Sequence, residues 1–121
     1  MLRWIGTSLD DLRKFPPEVQ SRMGFALRTA QEGNMDPDAK VLQGFGDAGV
    51  LEVAERFDRN AYRAVYTVRL EHAIYVLHVF QKKSKSGIAT STHDIDMIRR
   101  RLREAEMLGA AETAKQRGER T

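Results

Sequence analysis

The sequence predicts one α+β domain of element order β-α-α-β-β-β-α, its helices packed on a small, mostly antiparallel sheet. Three observations carry that prediction. Between Val19 and Ala30, apolar residues recur at three- and four-residue spacing, which gives one buried helical face. From Val50 to Lys82 the period changes to two, in three runs joined by short turns, as in an antiparallel meander. Beyond Ser91 the helical period returns in Ile95, Ile98, Leu102 and Ala105. A chain of 121 residues is long enough for one such domain and not for two.

Leu2 to Gly6 is expected as a short first strand. Ser8 to Asp11 has the form of a capping box, a hydroxyl followed three residues on by a carboxylate, and opens a helix that ends near Lys14. Pro16-Pro17 stops that helix and suits the first turn of the next, where a missing N–H costs nothing. The second helix carries Val19, Met23, Ala26, Leu27 and Ala30 on one face and should end near Gly33-Asn34. Met35 to Gly49 is loop-like, with Asp36-Pro37-Asp38 and three glycines. In the strand that follows, Leu51, Val53 and Phe57 alternate with Glu52, Ala54 and Arg56; Asp58-Arg59-Asn60 is a turn. The next strand sets Tyr62, Ala64 and Tyr66 against Arg63, Val65 and Thr67. Glu71-His72 turns the chain into 73–82, apolar enough for a central strand covered on both sides, with His78 alternating with Val76 and Phe80 as a core histidine. A basic loop reaches Ala89, and Ser91 to Asp94 caps the last helix. The domain is expected over residues 1–108, with 109–121 a flexible tail.

Composition removes several function classes. With no cysteine there is neither a disulfide framework nor a thiolate nucleophile or ligand, which fits a cytoplasmic protein. The longest apolar run, Ala73 to Phe80, falls far below the roughly 20 residues of a membrane span, so no membrane partner is expected. No Walker A loop, dinucleotide fingerprint, HExxH or nucleophile elbow occurs, three scattered histidines make no metal site, and no cofactor is expected. The net charge of +3 hides an asymmetry: from Arg56 to Arg103 there are 11 Lys and Arg against 4 acids, and elsewhere 9 against 13. A concentrated basic segment is the electrostatic footprint of a polyanion-binding surface.

Within that segment, Tyr62-Arg63-Ala64-Val65-Tyr66 and then Val76-Leu77-His78-Val79-Phe80-Gln81-Lys82-Lys83-Ser84-Lys85-Ser86-Gly87 resemble the signature of the phage-related, HigB-like branch of the RelE toxins. Ala39 to Gly44 resembles that branch's K-x-L-x-G loop, and Val50 to Val53 its following strand. The resemblance runs from about Pro16 to Glu106. It implies the RelE-like microbial RNase toxin fold and cleavage of mRNA, usually in the ribosomal A site. It also implies a cognate helix-turn-helix (HigA-like) antitoxin through which alone operator DNA is touched.

RNA carries its own nucleophile, the 2′-hydroxyl beside the scissile phosphate. A metal-free nuclease must orient it, take its proton, stabilise charge on phosphorus and protonate the leaving 5′-oxygen. Arg63, a planar fixed cation in mid-strand, is the first choice for the phosphate, and it falls on the arginine such toxins carry; its competing role is an ion pair with Glu52 or Glu55 across the sheet. Lys82 and Lys83 leave the central strand on opposite faces, so one is expected in the site and the other on flanking backbone. His93 is the candidate general acid. Arg56, Arg69, Lys85 and Arg99 are expected as RNA-backbone contacts. RelE relies on lysines in the strand before Y-R-x-V-Y, where this chain has Glu52, Ala54 and Glu55, so the general base stays unassigned.

Overall fold

Five strands form one sheet of order β1-β5-β4-β3-β2, comprising β1 (Leu2–Trp4), β2 (Lys40–Val41), β3 (Val50–Phe57), β4 (Asn60–Thr67) and β5 (Ile74–Lys82). The helices are α1 (Ser8–Arg13), α2 (Pro17–Gln31) and α3 (Thr92–Gln116). The structure, a computed structural model, describes residues 1–46, 48–68, 70, 73–82, 91–116 and 118. The expected turn at Glu71-His72 and the basic loop from Lys83 lie outside the described residues. Among those described, no helix is long and apolar enough to cross a membrane.

Strands β2 to β5 pair antiparallel, whereas β1 lies parallel to β5, Leu2 opposite Ile74 and Trp4 opposite Val76. The α+β class and the mostly antiparallel sheet expected from the sequence are therefore observed. Two refinements follow. The 35–49 loop contains the two-residue strand β2, which covers only Leu51 and Glu52 of the β3 edge. The β3–β4 hairpin turns on Asp58 and Arg59, both at positive φ (49° and 67°), the backbone of a tight two-residue turn.

Each face of the sheet buries its own core. On one side α1 and α2 pack Leu12, Val19, Met23, Ala26 and Leu27 onto Leu51, Val53, Ala64, Tyr66 and Val76. On the other, Ile98 and Ala105 of α3 pack onto Val50, Val65, Tyr75 and Leu77. Every apolar position that the period predicted for α2 is buried; each large side chain so placed contributes about 1.5–3 kcal/mol. Across the first layer, Arg22 of α2 grips the loop before β2. It donates to Asp36 at 2.8 and 2.6 Å and to Asp38 at 2.7 Å, and its Nε lies 3.9 Å from Glu55.

Two expectations are corrected. The first helix is capped one residue earlier than the S-x-x-D pattern implied. Thr7 is the N-cap and bonds Asp11 side chain to side chain (2.8 Å), while Ser8 is buried and donates to the Val76 carbonyl (3.3 Å). The last helix runs on through 109–116, where a tail was expected. Gly109 does not break it; Leu70 and Tyr75 lie beside the helix there, and Arg3 of β1 pairs with Glu112.

Candidate functional site

The site is set by an irregularity in β5. Val65 of β4 lies opposite His78 but Tyr66 lies opposite Val76, so Leu77 is an extra residue in β5. Strict alternation would place His78, Phe80 and Lys82 on the Val76 side. The bulge reverses the parity. Because cross-strand partners share a face, His78 sits with Val65 and Phe80 with Arg63, on the side covered by α3. Lys82, opposite Ala61, follows onto the same face. Glu52, Ala54 and Arg56 of β3 belong there too, opposite Val65, Arg63 and Ala61.

Thus Glu52, Arg63 and Lys82, from three neighbouring strands, meet at one end of the α3 face. The Arg63 Nη1 donates to Glu52 Oε1, the cross-sheet ion pair weighed as its competing role. Both side chains are largely buried, 16% and 10% exposed. The Arg63 Nε and the Lys82 Nζ are also buried, and among the described residues neither finds a hydrogen-bond partner. Leaving a charged donor buried without a partner costs more than a typical hydrogen bond returns. Burial pushes the Lys82 ammonium below the ordinary lysine range and the neighbouring Arg63 pushes it further, with Glu52 and Asp94 opposing.

Asp94, in the first turn of α3, joins the cluster through His78, whose Nε2 lies 2.8 Å from Asp94 Oδ1. The expected cap is present, with the Asp94 N–H donating to Ser91 Oγ at 3.2 Å. Burial raises the Asp94 carboxyl, but the Ser91 hydroxyl and the His78 ring outweigh it and hold it below the usual range. His78 is buried as expected, yet it is bonded on both sides and faces α3 rather than the α1/α2 core. Asp94 and the dyad it forms were missed from sequence. The S-x-x-D cap accounted for Asp94 completely, and the only further signal was a histidine in an otherwise apolar strand.

The other predicted residues are placed as follows. His93 is exposed one residue before Asp94 and is not among the buried groups at Lys82. Arg56 is exposed on the site's face at its β3 rim. Arg99 is exposed on α3 with its guanidinium 4.9 Å from the centre of the Phe45 ring, a cation–π contact. Arg69, Lys83 and Lys85 lie outside the described residues. Among the described residues no three His, Asp or Glu side chains converge to hold a metal ion.

The family model of the phage-derived Gp49-like proteins (DUF891) matches residues 10–103. The chain belongs to the Gp49-like family. The phage-related branch read from the Tyr62–Gly87 signature is borne out by that match. Two solved structures are also similar to this Gp49-like chain. One, from the RelBE2 toxin–antitoxin complex of Mycobacterium tuberculosis, shares 26% identity at a TM-score of 0.45, over 68% of this chain and 96% of the other. The other, the isolated RelE toxin of E. coli, shares 19% identity at a TM-score of 0.49, over 83% of this chain and 96% of that one. No curated protein matches the sequence. It is the family match that places the chain.

Proposed function

We propose that this Gp49-like protein is the toxin of a toxin–antitoxin pair and acts as a metal-independent endoribonuclease on mRNA held in the ribosome. The observation that carries the reading is the pair of buried, unpartnered cationic nitrogens, Arg63 Nε and Lys82 Nζ, on the face the bulge creates. A phosphate offers acceptors to both. Family membership, the RelE/HigB-like signature and the basic Arg56–Arg103 segment support the same substrate class.

In this reading Arg63 and Lys82 hold the non-bridging oxygens of the scissile phosphate and stabilise the charge that builds as the 2′-hydroxyl attacks phosphorus. The P–O2′ bond forms, the P–O5′ bond breaks, and the products are a 2′,3′-cyclic phosphate and a 5′-hydroxyl. A lysine of depressed pKa is suited to give its proton to the departing 5′-oxygen. Lys83, next in sequence to Lys82, and His93, in the first turn of α3, remain candidates. Arg56, Arg69, Lys85 and Arg99 are the candidate contacts to flanking backbone. The proposed partner is a helix-turn-helix, HigA-like antitoxin, with operator DNA reached only through it, all in the cytoplasm.

A second reading, a non-catalytic RNA- or partner-binding module of the same fold, draws on the Arg63–Glu52 ion pair, which already occupies one face of the guanidinium. Expression of the chain alone separates the two. The toxin reading predicts growth arrest that a co-expressed neighbouring helix-turn-helix gene relieves. It also predicts that Arg63→Ala with Lys82→Ala abolishes the arrest at equal protein level. Arrest that survives the double substitution would remove Arg63 and Lys82 from the site.

A further inference from the structure

The cleavage chemistry leaves three polar side chains unused: His78, Asp94 and Arg101. Their bonds fix one another. The Arg101 guanidinium lies against Gly6, where a Cβ would approach it to 2.9 Å. It donates to the Leu77 carbonyl (3.0 Å), to Thr7 Oγ1 (3.2 Å) and to His78 Nδ1 (3.4 Å). A guanidinium only donates, so Nδ1 must accept, and the ring proton sits on Nε2. That N–H is then directed at Asp94 Oδ1, 2.8 Å away. The second carboxylate oxygen accepts from Ser91 Oγ at 2.7 Å. Both Asp94 oxygens are thereby tied, and the first turn of α3 is fastened to β5 four residues before Lys82 along the same face.

We infer that His78 and Asp94 form a positioning dyad for Lys82, in which the neutral imidazole holds the Asp94 carboxylate in place as a counter-charge to the buried ammonium. This role presupposes the cleavage site proposed above and adds how its lysine stays charged. Among the described residues, the charged groups that act on Lys82 are Arg63 of β4, Glu52 of β3 and Asp94 of α3. Arg63 works against the ammonium, and Glu52 is engaged with Arg63, which leaves Asp94 as the carboxylate fixed independently of the guanidinium. Among the described residues, the charged groups that act on His78 are Asp94 and Arg101 of α3 and Asp11 of α1. Burial keeps the ring below the ordinary histidine range, so it is the neutral donor this geometry needs.

The test is an NMR titration of the Lys82 ammonium in the full chain, labelled at lysine, for wild type, Asp94→Asn, His78→Leu and His78→Gln. Asp94→Asn is expected to move the Lys82 midpoint down, by less than the roughly one pH unit that marks loss of an opposite charge in close contact. His78→Leu should move it in the same direction by less. His78→Gln, which keeps an N–H donor near the Nε2 position, should restore the wild-type value. The alkaline limb of the cleavage pH profile should follow the same order. Should His78→Leu fail to fold, Asp94→Asn and His78→Gln decide the matter, because both keep side chains of nearly the native volume. An unmoved Lys82 midpoint in folded Asp94→Asn overturns the dyad, whether or not RNA is cut. Midpoints that move as expected in a chain that cuts no RNA leave the dyad standing and refute the cleavage reading alone.

Discussion

The two faces of the sheet each carry a largely buried arginine bonded to carboxylate, and the two clusters differ in how completely they are satisfied. On the α2 side, Arg22 makes three short bonds to Asp36 and Asp38, with Glu55 beyond, and the fully buried Asp36 also accepts from the Asp38 N–H at 2.9 Å. The Arg22 guanidinium holds the Asp36 carboxyl below the usual carboxylate range, and Arg22 itself is raised by the same bonds. On the α3 side, Arg63 reaches Glu52 but keeps a buried Nε without a partner, and Lys82 beside it has a buried ammonium with none. A closed network of this kind fixes a loop to a helix. An open one keeps cationic donors desolvated and short of the anion that would complete them.

The comparison breaks first at activity. Arg63→Ala should lower RNA cleavage by about 10²–10³-fold, the usual loss when one preorganised donor to a developing negative charge is removed, measured as initial rate at equal folded protein. The stability effects should run the other way. Asp36→Ala leaves Arg22 without its main partner and should cost about 2–3 kcal/mol in urea unfolding, somewhat below a fully buried pair because Arg22 retains 21% exposure. Arg63→Met should cost less, about 1 kcal/mol, since Lys82 remains beside Glu52 to offset its charge. Equal stability losses in the two variants would erase the distinction between closed and open clusters.

Acid should sharpen it in two stages. His78 has a folded pKa lowered from 6.5 by burial, so the unfolded chain binds its proton first, and stability falls as pH drops below about that value. Asp36 and Asp94 have carboxyls lowered from 3.8, so their contribution, present above that pH, is lost as pH falls further. His78→Gln should flatten the upper stage of a stability-versus-pH curve and leave the lower one, and Asp36→Asn should do the reverse. Away from both clusters, the φ of 56° at Gly6 and its contact with Arg101 should make Gly6→Ala cost about 1–2 kcal/mol by thermal unfolding.

The elements whose pattern is local were legible: the α2 face, the three meander strands and the cap at Ser91. What escaped was set by distant contacts. The parallel pairing of β1 with β5 joins residues more than seventy positions apart, and no local period encodes it. The extension of α3 through Gly109 runs beside Leu70 and Tyr75, more than thirty positions away in sequence. Arg63 and Lys82 were chosen from sequence by chemistry and resemblance. That they share a face rests on the Leu77 bulge, which a strict two-residue period contradicts. His78 read as a core residue because its partners, Asp94 and Arg101, arrive from another element.

The central claim is that the open cation pair on the α3 face holds an RNA phosphate during cleavage. Its most direct test maps 5′-hydroxyl ends in mRNAs translated in the presence of purified chain, comparing wild type with the Arg63→Ala, Lys82→Ala double variant. New 5′-hydroxyl ends with wild type, absent with the folded double variant, are the predicted result. The same cuts made by both proteins, or none made by either, would contradict it.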